Sequence, residues 1–235
     1  MENGLFLPLE VVNREYIGKL LLGVEMAVRG MPVFIGHKKW VIQLALKATE
    51  PGILFYKDAG KDEGFMRRLK EKGFGLVAQD EEAGIIYREY VDFYNRRHSL
   101  AGIPALDKFY TWGSEEYEFL NNKFYRDRNT NILNTGAIKT VLWGDSGREY
   151  FAQHIADIKK RYGRFVIFIS NFTELNGYLS QSELAELKVK DRGPDESGRK
   201  ALYNKQQCLM RLVCEAVETI KNETQMNVLV RPHPV

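Results

Sequence analysis

Short apolar runs alternate with amphipathic helical runs along this chain, and this alternation constrains its fold more than any other sequence feature. Leu5–Leu9, Ile53–Tyr56 and Gly75–Gln79 have the length and apolar character of β-strands. After the first strand, residues 13–28 change to helical spacing, and Gly30 supplies a stop signal. Strands that alternate with helices predict a parallel sheet with helices on both faces. The first part of the chain therefore predicts an α/β fold with a Rossmann-like parallel sheet.

The first helix shows the helical pattern most clearly, because its apolar residues recur every three or four positions. They form one stripe: Ile17, Leu20, Leu21, Val24, Ala27 and Val28. The same reasoning assigns the other elements in chain order. Further strands are predicted at residues 32–36, 109–112, 132–133, 165–169 and 227–230, and further helices at residues 38–47, 63–72, 115–124, 148–162 and 200–221.

The α/β series restarts after Gly163, so we expect two domains. Residues 1–145 form the predicted N-terminal, Rossmann-like domain. Residues 146–235 are predicted to hold a connecting helix and the start of a second domain. Two parallel strands with one crossover helix do not complete a doubly wound sheet. The second Rossmann-like domain is therefore expected to be incomplete.

The composition indicates a soluble cytoplasmic protein. Its 34 Lys and Arg residues against 31 Asp and Glu residues give a formal charge of +3. This small excess permits weak peripheral attraction to an anionic inner-membrane surface and does not argue for nucleic acid. Cys208 and Cys214 lie in one helical pattern, at a spacing that cannot bridge within a helix, so reduced thiols are expected. No apolar run reaches the roughly 18 residues of a membrane-spanning helix.

Aromatic and basic residues interleave between residues 87 and 97, which is also a pattern of nucleic-acid stacking surfaces. Tyr90, Phe93, Tyr94 and Arg97 recur at helical spacing, however. This spacing favours a packed helix face with a solvated back, and no nucleic-acid partner is expected.

Three consecutive carboxylates, Asp80, Glu81 and Glu82, follow the strand Gly75–Gln79 and precede Gly84. Neighbouring carboxylates repel one another, and this repulsion raises the pKa of at least one of them. A carboxylate with a raised pKa suits a general base or a nucleophile. Two other interpretations remain open: a divalent cation site, because hard oxygen ligands suit Mg²⁺ or Ca²⁺, and an acidic surface turn. No second acidic cluster completes a metal site in the sequence, so no metal is expected.

Polar side chains also follow the first two strands. Glu10 and Arg14 lie where the first strand passes into the first helix, and His37 lies at the end of the second strand. Arg14 can hold an acceptor by its charge, and the helix amides can do so by their dipole. In the simpler alternative, Asn13 caps the helix and Glu15 complements its dipole. No glycine-rich fingerprint is present, so no dinucleotide cofactor is expected.

A third set of polar residues follows the last two strands: Ser170, Asn171, Arg231 and His233. Donors that converge from adjacent strand ends are well placed to bind a pyrophosphate or a sugar phosphate. Ser and Asn are also common in turns, which is the alternative.

Taken together, these motifs resemble the bacterial surface carbohydrate biosynthesis proteins, and the resemblance extends over nearly the whole chain. That group is similar to two-domain GT-B glycosyltransferases and, more distantly, to capsule polymerases and nucleotide-sugar 2-epimerases. The matching segments are LPLEVVNRE at 7–15, KLLL at 19–22, RG at 29–30, IGHK at 35–38, DEE at 80–82 with Gly84, TWG at 111–113, TG at 135–136 and RPHP at 231–234.

The resemblance implies transfer of a sugar from a nucleotide-sugar donor to a glycan or lipid-linked glycan acceptor, in capsule or lipopolysaccharide synthesis. It implies an N-terminal domain that binds the acceptor, through Glu10, Arg14 and His37. It also implies a C-terminal domain that binds the nucleotide sugar, through Ser170, Asn171, Arg231 and His233. Glu81 is the expected base or nucleophile, supported by Glu82 and Asp80. Inverting and retaining outcomes both remain open.

The chain departs from this pattern in length, because GT-B proteins continue through a full second domain. A chain cut after the second strand of that domain is expected to have little or no transferase activity alone. Two alternatives remain: a nucleotide-sugar 2-epimerase, which needs no acceptor, and a non-catalytic binding fragment.

Overall fold

The computed structural model describes residues 3–58, 63–83, 94, 106–124, 131–169, 172 and 196–231. The chain divides into two compact units, Met1–Tyr150 and Phe151–Val235.

The first unit is built on a six-stranded sheet with the order β2-β1-β3-β4-β5-β6, in which every neighbouring pair is parallel. This sheet confirms the predicted Rossmann-like α/β architecture. Its strands are β1 Leu5–Leu9, β2 Val33–His37, β3 Ile53–Tyr56, β4 Gly75–Gln79, β5 Lys108–Thr111 and β6 Asn131–Asn134. Its helices are α1 Val12–Val28, α2 Lys38–Lys47, α3 Glu63–Glu71, α4 Ser114–Phe124, a 3₁₀ helix Ile138–Trp143 and α5 Asp145–Tyr150.

The chain reverses its direction across the sheet after β2, because β2 and β3 lie on opposite sides of β1. Right-handed crossovers then place α1 on one face and α2 and α3 on the other. The core follows this division. Leu7, Phe55 and Val77 pack on the α1 face, whereas Phe6 and Leu54 pack on the α2 and α3 face. Ligands in such sheets bind at the carboxyl ends of the strands beside this reversal, which here are β1 and β3.

Helix α1 buries a different face from the one its apolar stripe indicates. Its fully buried residues are Glu15, Gly18, Lys19 and Gly23, while Leu21, Val24 and Val28 in the predicted stripe are exposed. The two glycines explain the fit, because a Cβ at Gly23 would lie 3.1 Å from Val33 and one at Gly18 would lie 3.4 Å from the Lys139 backbone. Close backbone approach, rather than apolar pattern, sets the orientation of this helix.

Two further local predictions are wrong. Helix α1 begins at Val12 after Val11, which makes no side-chain cap, so Asn13 does not cap it. The single helix predicted at residues 148–162 is two helices in the structure. Phe151 separates α5 from α6, Ala152–Tyr162. The 3₁₀ helix before α5 had no sequence signal of its own, because a single turn or two is too short to show helical periodicity.

The second unit contains α6, β7 Phe165–Ile169, α7 Glu196–Thr224 and β8 Asn227–Arg231. Strands β7 and β8 form a parallel pair in which Phe165 aligns with Asn227 and Ile169 with Arg231. That this unit belongs to a second Rossmann-like domain stays a prediction. Cys208 and Cys214 are free thiols exposed on α7.

Among the described residues, no helix combines the length and the apolar character needed to span a membrane.

Candidate active site

A buried cluster of charges lies at the carboxyl ends of β1 and β4, and Lys19 is at its centre. The Lys19 ammonium donates to the Pro8 carbonyl at 2.7 Å and to a Glu15 carboxylate oxygen at 2.9 Å. It also lies 3.5 Å from a Glu81 carboxylate oxygen. Lys19 is only 1% exposed, so its charge is almost fully removed from water. A buried ammonium is tolerated because these acceptors and carboxylates compensate it.

Glu15 connects this cluster to the backbone. Its carboxylate accepts the N–H groups of Glu10 at 3.2 Å and Val11 at 3.1 Å, where β1 passes into α1. Arg14 lies 3.3 Å from the same carboxylate. The amides of Glu10 and Val11 are therefore occupied by a side chain of the protein, and these two groups are not available to hold an acceptor as the sequence suggested.

The three carboxylates after β4 have three different environments. Asp80 is buried, and its side chain accepts the backbone N–H of Glu82 at 2.6 Å, which closes the turn. Glu82 lies at the rim, where it pairs with Arg14. Glu81 is buried and faces Lys19. The structure thus gives Asp80 a role in shaping the turn and leaves Glu81 as the carboxylate suited to chemistry.

Burial raises the pKa of Glu81, and the negative charge of Glu15 adds to this increase, while the charges of Lys19 and Lys139 oppose it. Lys139 donates to the Glu81 carbonyl, and its ammonium lies 4.6 Å from the centre of the Trp112 ring. Burial lowers the pKa of Lys139. Glu81 is therefore a carboxylate with a raised pKa that lies between two lysines. This arrangement suits proton transfer.

The position of Lys139 depends on Gln79, the last residue of β4. The Gln79 side chain donates to the Gly136 carbonyl at 2.9 Å and accepts the N–H of Ile138 at 3.0 Å. Gly136 has a φ of +74°, which favours glycine. These bonds fix the turn that starts the 3₁₀ helix, and this turn brings Lys139 to the acidic residues.

Glu116 on α4 holds Trp112 in place. The buried Glu116 carboxylate accepts the Trp112 N–H at 2.6 Å and the hydroxyl of Tyr94, and the Trp112 indole in turn donates to the Asp80 carbonyl. Burial raises the pKa of Glu116 to about 7, against the two hydrogen bonds that lower it. The acidic turn is thus supported by a second buried carboxylate.

The predicted acceptor residues separate into two places. Arg14 joins the charge cluster through Glu82. Glu10 instead pairs with Lys38 at 3.5 Å and with Lys57, and His37 is exposed at the end of β2. Glu10 and His37 both line an open cavity of about 710 Å³ on the α2 and α3 side of the sheet edge.

The predicted nucleotide-sugar residues are only partly described. Arg231 ends β8 and is exposed, whereas Ser170, Asn171 and His233 lie outside the described residues. A cavity of about 560 Å³ in this unit is lined by Phe165 and Met226, at the amino ends of its strands. That cavity lies at the opposite strand ends from Arg231.

Sequence reasoning missed Lys19 and Lys139 as parts of the site. One signal was present for Lys19, because it follows Glu15 by one helical turn and precedes three leucines. A charged pair beside an apolar run is the pattern of a buried ion pair as well as of a surface one. No local signal marked Lys139, which reaches the cluster only through the turn at Gly136.

Within the described ranges, no three His, Cys, Asp or Glu side chains gather in a group that could hold a metal ion. The cation interpretation of the acidic turn gains no support from that part of the chain. Comparisons of the sequence and the structure with protein-family models, curated proteins and solved structures found no match.

Proposed function

We propose that this protein transfers a sugar from a nucleotide-sugar donor to a hydroxyl of a glycan acceptor, with Glu81 as the base or nucleophile. The observation that carries the proposal is the position of Glu81: a buried carboxylate with a raised pKa, 3.5 Å from the Lys19 ammonium, at the carboxyl edge of a parallel sheet. Binding sites of α/β sheets lie at this edge. The resemblance to surface carbohydrate enzymes supplies the reaction class.

The neighbours of Glu81 suit proton transfer. Burial raises the pKa of Glu81, so that the carboxylate accepts a proton more readily than an exposed one does. The charges of Lys19 and Lys139 oppose this rise and favour the ionised form of Glu81. In an inverting transfer Glu81 takes the proton of the acceptor hydroxyl as that oxygen bonds to the anomeric carbon, and the nucleotide leaves with the electron pair of the broken bond. A direct attack by the carboxylate on the anomeric carbon uses the same charged form.

Arg14 is the second support for a ligand at this site. Its Nε is buried and has no hydrogen-bond partner in the described part of the chain. Buried donors are normally satisfied, so an unpaired one beside an exposed ion pair favours a ligand oxygen as its partner. We assign Arg14, with Glu82, to positioning the acceptor. Arg231, with Ser170, Asn171 and His233, is assigned to the donor phosphates by the resemblance alone.

The test is a product assay by mass spectrometry with a panel of nucleotide sugars and glycan acceptors, which detects low turnover. Glu81→Gln keeps the size of the side chain but removes the base, so we expect product to fall by about 100-fold or more. Glu118→Gln, an exposed position on α4, is the matched control and should leave turnover unchanged.

The outcomes separate the alternatives. Product that requires both donor and acceptor and is lost in Glu81→Gln supports the transferase. Donor altered in stereochemistry without an acceptor supports the epimerase instead. Turnover that survives Glu81→Gln contradicts the proposal, and the absence of product with every pair supports the non-catalytic alternative.

A further inference from the structure

The cavity beside Glu10 and His37 differs from the Glu81 cluster in its position and in its chemistry. It lies over the carboxyl ends of β1, β2 and β3, between α2, which lines it along most of its length, and the first turns of α3. Its volume of about 710 Å³ is within the range of sites for small ligands. Nothing in the proposed transfer reaction uses its α2 and α3 walls.

The walls of this cavity are strongly basic. Four of its lining residues are cationic, Lys38, Lys39, Arg67 and Arg68, while Glu10 is its one lining carboxylate among the described residues. Lys38 pairs with Glu10 at 3.5 Å, and Arg67 has a long contact of 3.9 Å with Glu71. Lys39 and Arg68 form no ion pair within the described residues. Two unpaired cations on facing helices attract an anion into the space between them.

The base of the cavity is aromatic. Tyr56 is buried at the end of β3, and Phe65 packs edge-on against it with 5.3 Å between ring centroids. The Lys38 ammonium lies 5.4 Å from the centre of the Tyr56 ring. Ile42 adds an apolar wall from α2. A ligand that fills this space needs an anionic group for the helices and an apolar or ring group for the base.

We propose that this cavity binds a phosphate-bearing ligand, with the phosphate between Lys39 and Arg68 and an apolar or ring group against Tyr56 and Phe65. The flexible, exposed lysine and the forked arginine can both donate to one phosphate from opposite walls. Phosphate is favoured over a carboxylate because its three oxygens can engage two cations and further donors at once. The proposal does not depend on the transfer reaction at Glu81.

The test is isothermal titration calorimetry of the full chain with phenyl phosphate, inorganic phosphate and phenol. We expect phenyl phosphate to bind more tightly than inorganic phosphate and phenol not to bind. Lys39→Gln and Arg68→Gln should each weaken phenyl phosphate about fivefold, the loss of one partly exposed charge-assisted contact. Phe65→Leu should remove most of the advantage of phenyl phosphate over inorganic phosphate.

Lys47→Gln is the matched control, because Lys47 is exposed at the far end of the same helix and does not line the cavity. Its affinity should equal that of the unmodified chain. An equal loss in Lys47→Gln and Lys39→Gln would indicate diffuse attraction by net charge and would overturn the proposal. Failure of every phosphate probe to bind would also overturn it, while leaving the Glu81 assay untouched.

A lipid headgroup and a soluble metabolite carry the same phosphate chemistry, and vesicles distinguish them. Vesicles of phosphatidylcholine with and without phosphatidic acid are sedimented with the chain. Binding to phosphatidic acid that is lost in Lys39→Gln and Arg68→Gln identifies a lipid source and supports the site. Vesicle binding that both variants retain, without binding of phenyl phosphate, contradicts it.

Discussion

The two halves of the carboxyl edge of the sheet use charge in opposite ways. On the α1 side, Lys19 and Glu15 are almost fully buried and satisfy each other and the backbone. On the α2 and α3 side, Lys39 and Arg68 are exposed and have no carboxylate partner among the described residues. Buried, paired charges fix structure and shift pKa values, whereas exposed, unpaired charges remain free to bind a ligand. Lysine therefore has a structural role on the α1 side and is available for ligand binding on the α2 and α3 side.

The largest expected effect on this comparison comes from the removal of the Lys19 ammonium. Lys19→Met leaves the Glu15 and Glu81 carboxylates buried without their ammonium. This loss should lower the free energy of unfolding by about 3 kcal/mol or more. Urea denaturation monitored by circular dichroism measures it. Arg29→Met is the control on the same helix, because its pair with Glu25 is exposed on both sides, and a cost under about 1 kcal/mol is expected. Equal costs for the two variants would contradict the comparison.

The second test uses pH. Glu116 has a pKa of about 7 in the folded protein against an ordinary value of 4.5, so the folded state keeps a proton that the unfolded state has released. Its contribution to stability is complete below pH 4.5 and is lost as pH rises through about 7. Glu116→Gln should remove about 3 kcal/mol of this pH dependence, so the variant gains stability relative to the parent at pH 8.

Urea denaturation at several pH values between 4 and 8 measures the difference between Glu116→Gln and the parent chain. Glu115→Gln, an exposed neighbour on α4, is the control and should show the same pH profile as the parent. A Glu116→Gln profile that matches the parent at every pH would show that Glu116 titrates as an ordinary surface carboxylate.

The smallest expected effect concerns Glu10, which lies between the two halves. Glu10→Gln frees Lys38 and Lys57, so the cavity becomes more basic and the affinity for phenyl phosphate should rise about twofold or threefold. The free energy of unfolding should change by less than about 1 kcal/mol, because the pair is partly exposed. Glu25→Gln is the control and should leave the affinity unchanged. A lower affinity in Glu10→Gln would mean that Glu10 holds Lys38 in place for the anion.

The parallel sheet could be predicted from the sequence because its central strands β1, β3 and β4 are largely apolar runs that alternate with helical patterns. Strand β4 and the acidic turn after it were placed correctly for the same reason. The orientation of α1 could not be predicted, because its buried face contains Glu15, Gly18, Lys19 and Gly23, which a hydrophobic pattern assigns to solvent. Glycines that allow close backbone approach and a buried ion pair together override the apolar stripe.

The sequence predicted the carboxylates of the candidate site, but it did not predict the residues that contact them. The sequence singled out Asp80, Glu81 and Glu82, but their three environments arise from Arg14, Lys19 and Trp112, which are distant from them in the chain. These residues come into contact only through the order of the strands in the sheet, so no local sequence pattern predicts the contacts. Glu10 and Arg14 were grouped by their nearness in sequence, and the structure gives each a different ion-pair partner.

The carboxylate of Glu15 has one further consequence for what this edge of the sheet accepts. It receives the N–H groups of Glu10 and Val11 and so occupies the start of α1, where many α/β proteins receive a phosphate. A ligand phosphate at this edge of the sheet therefore has to be held by donors other than these two amides.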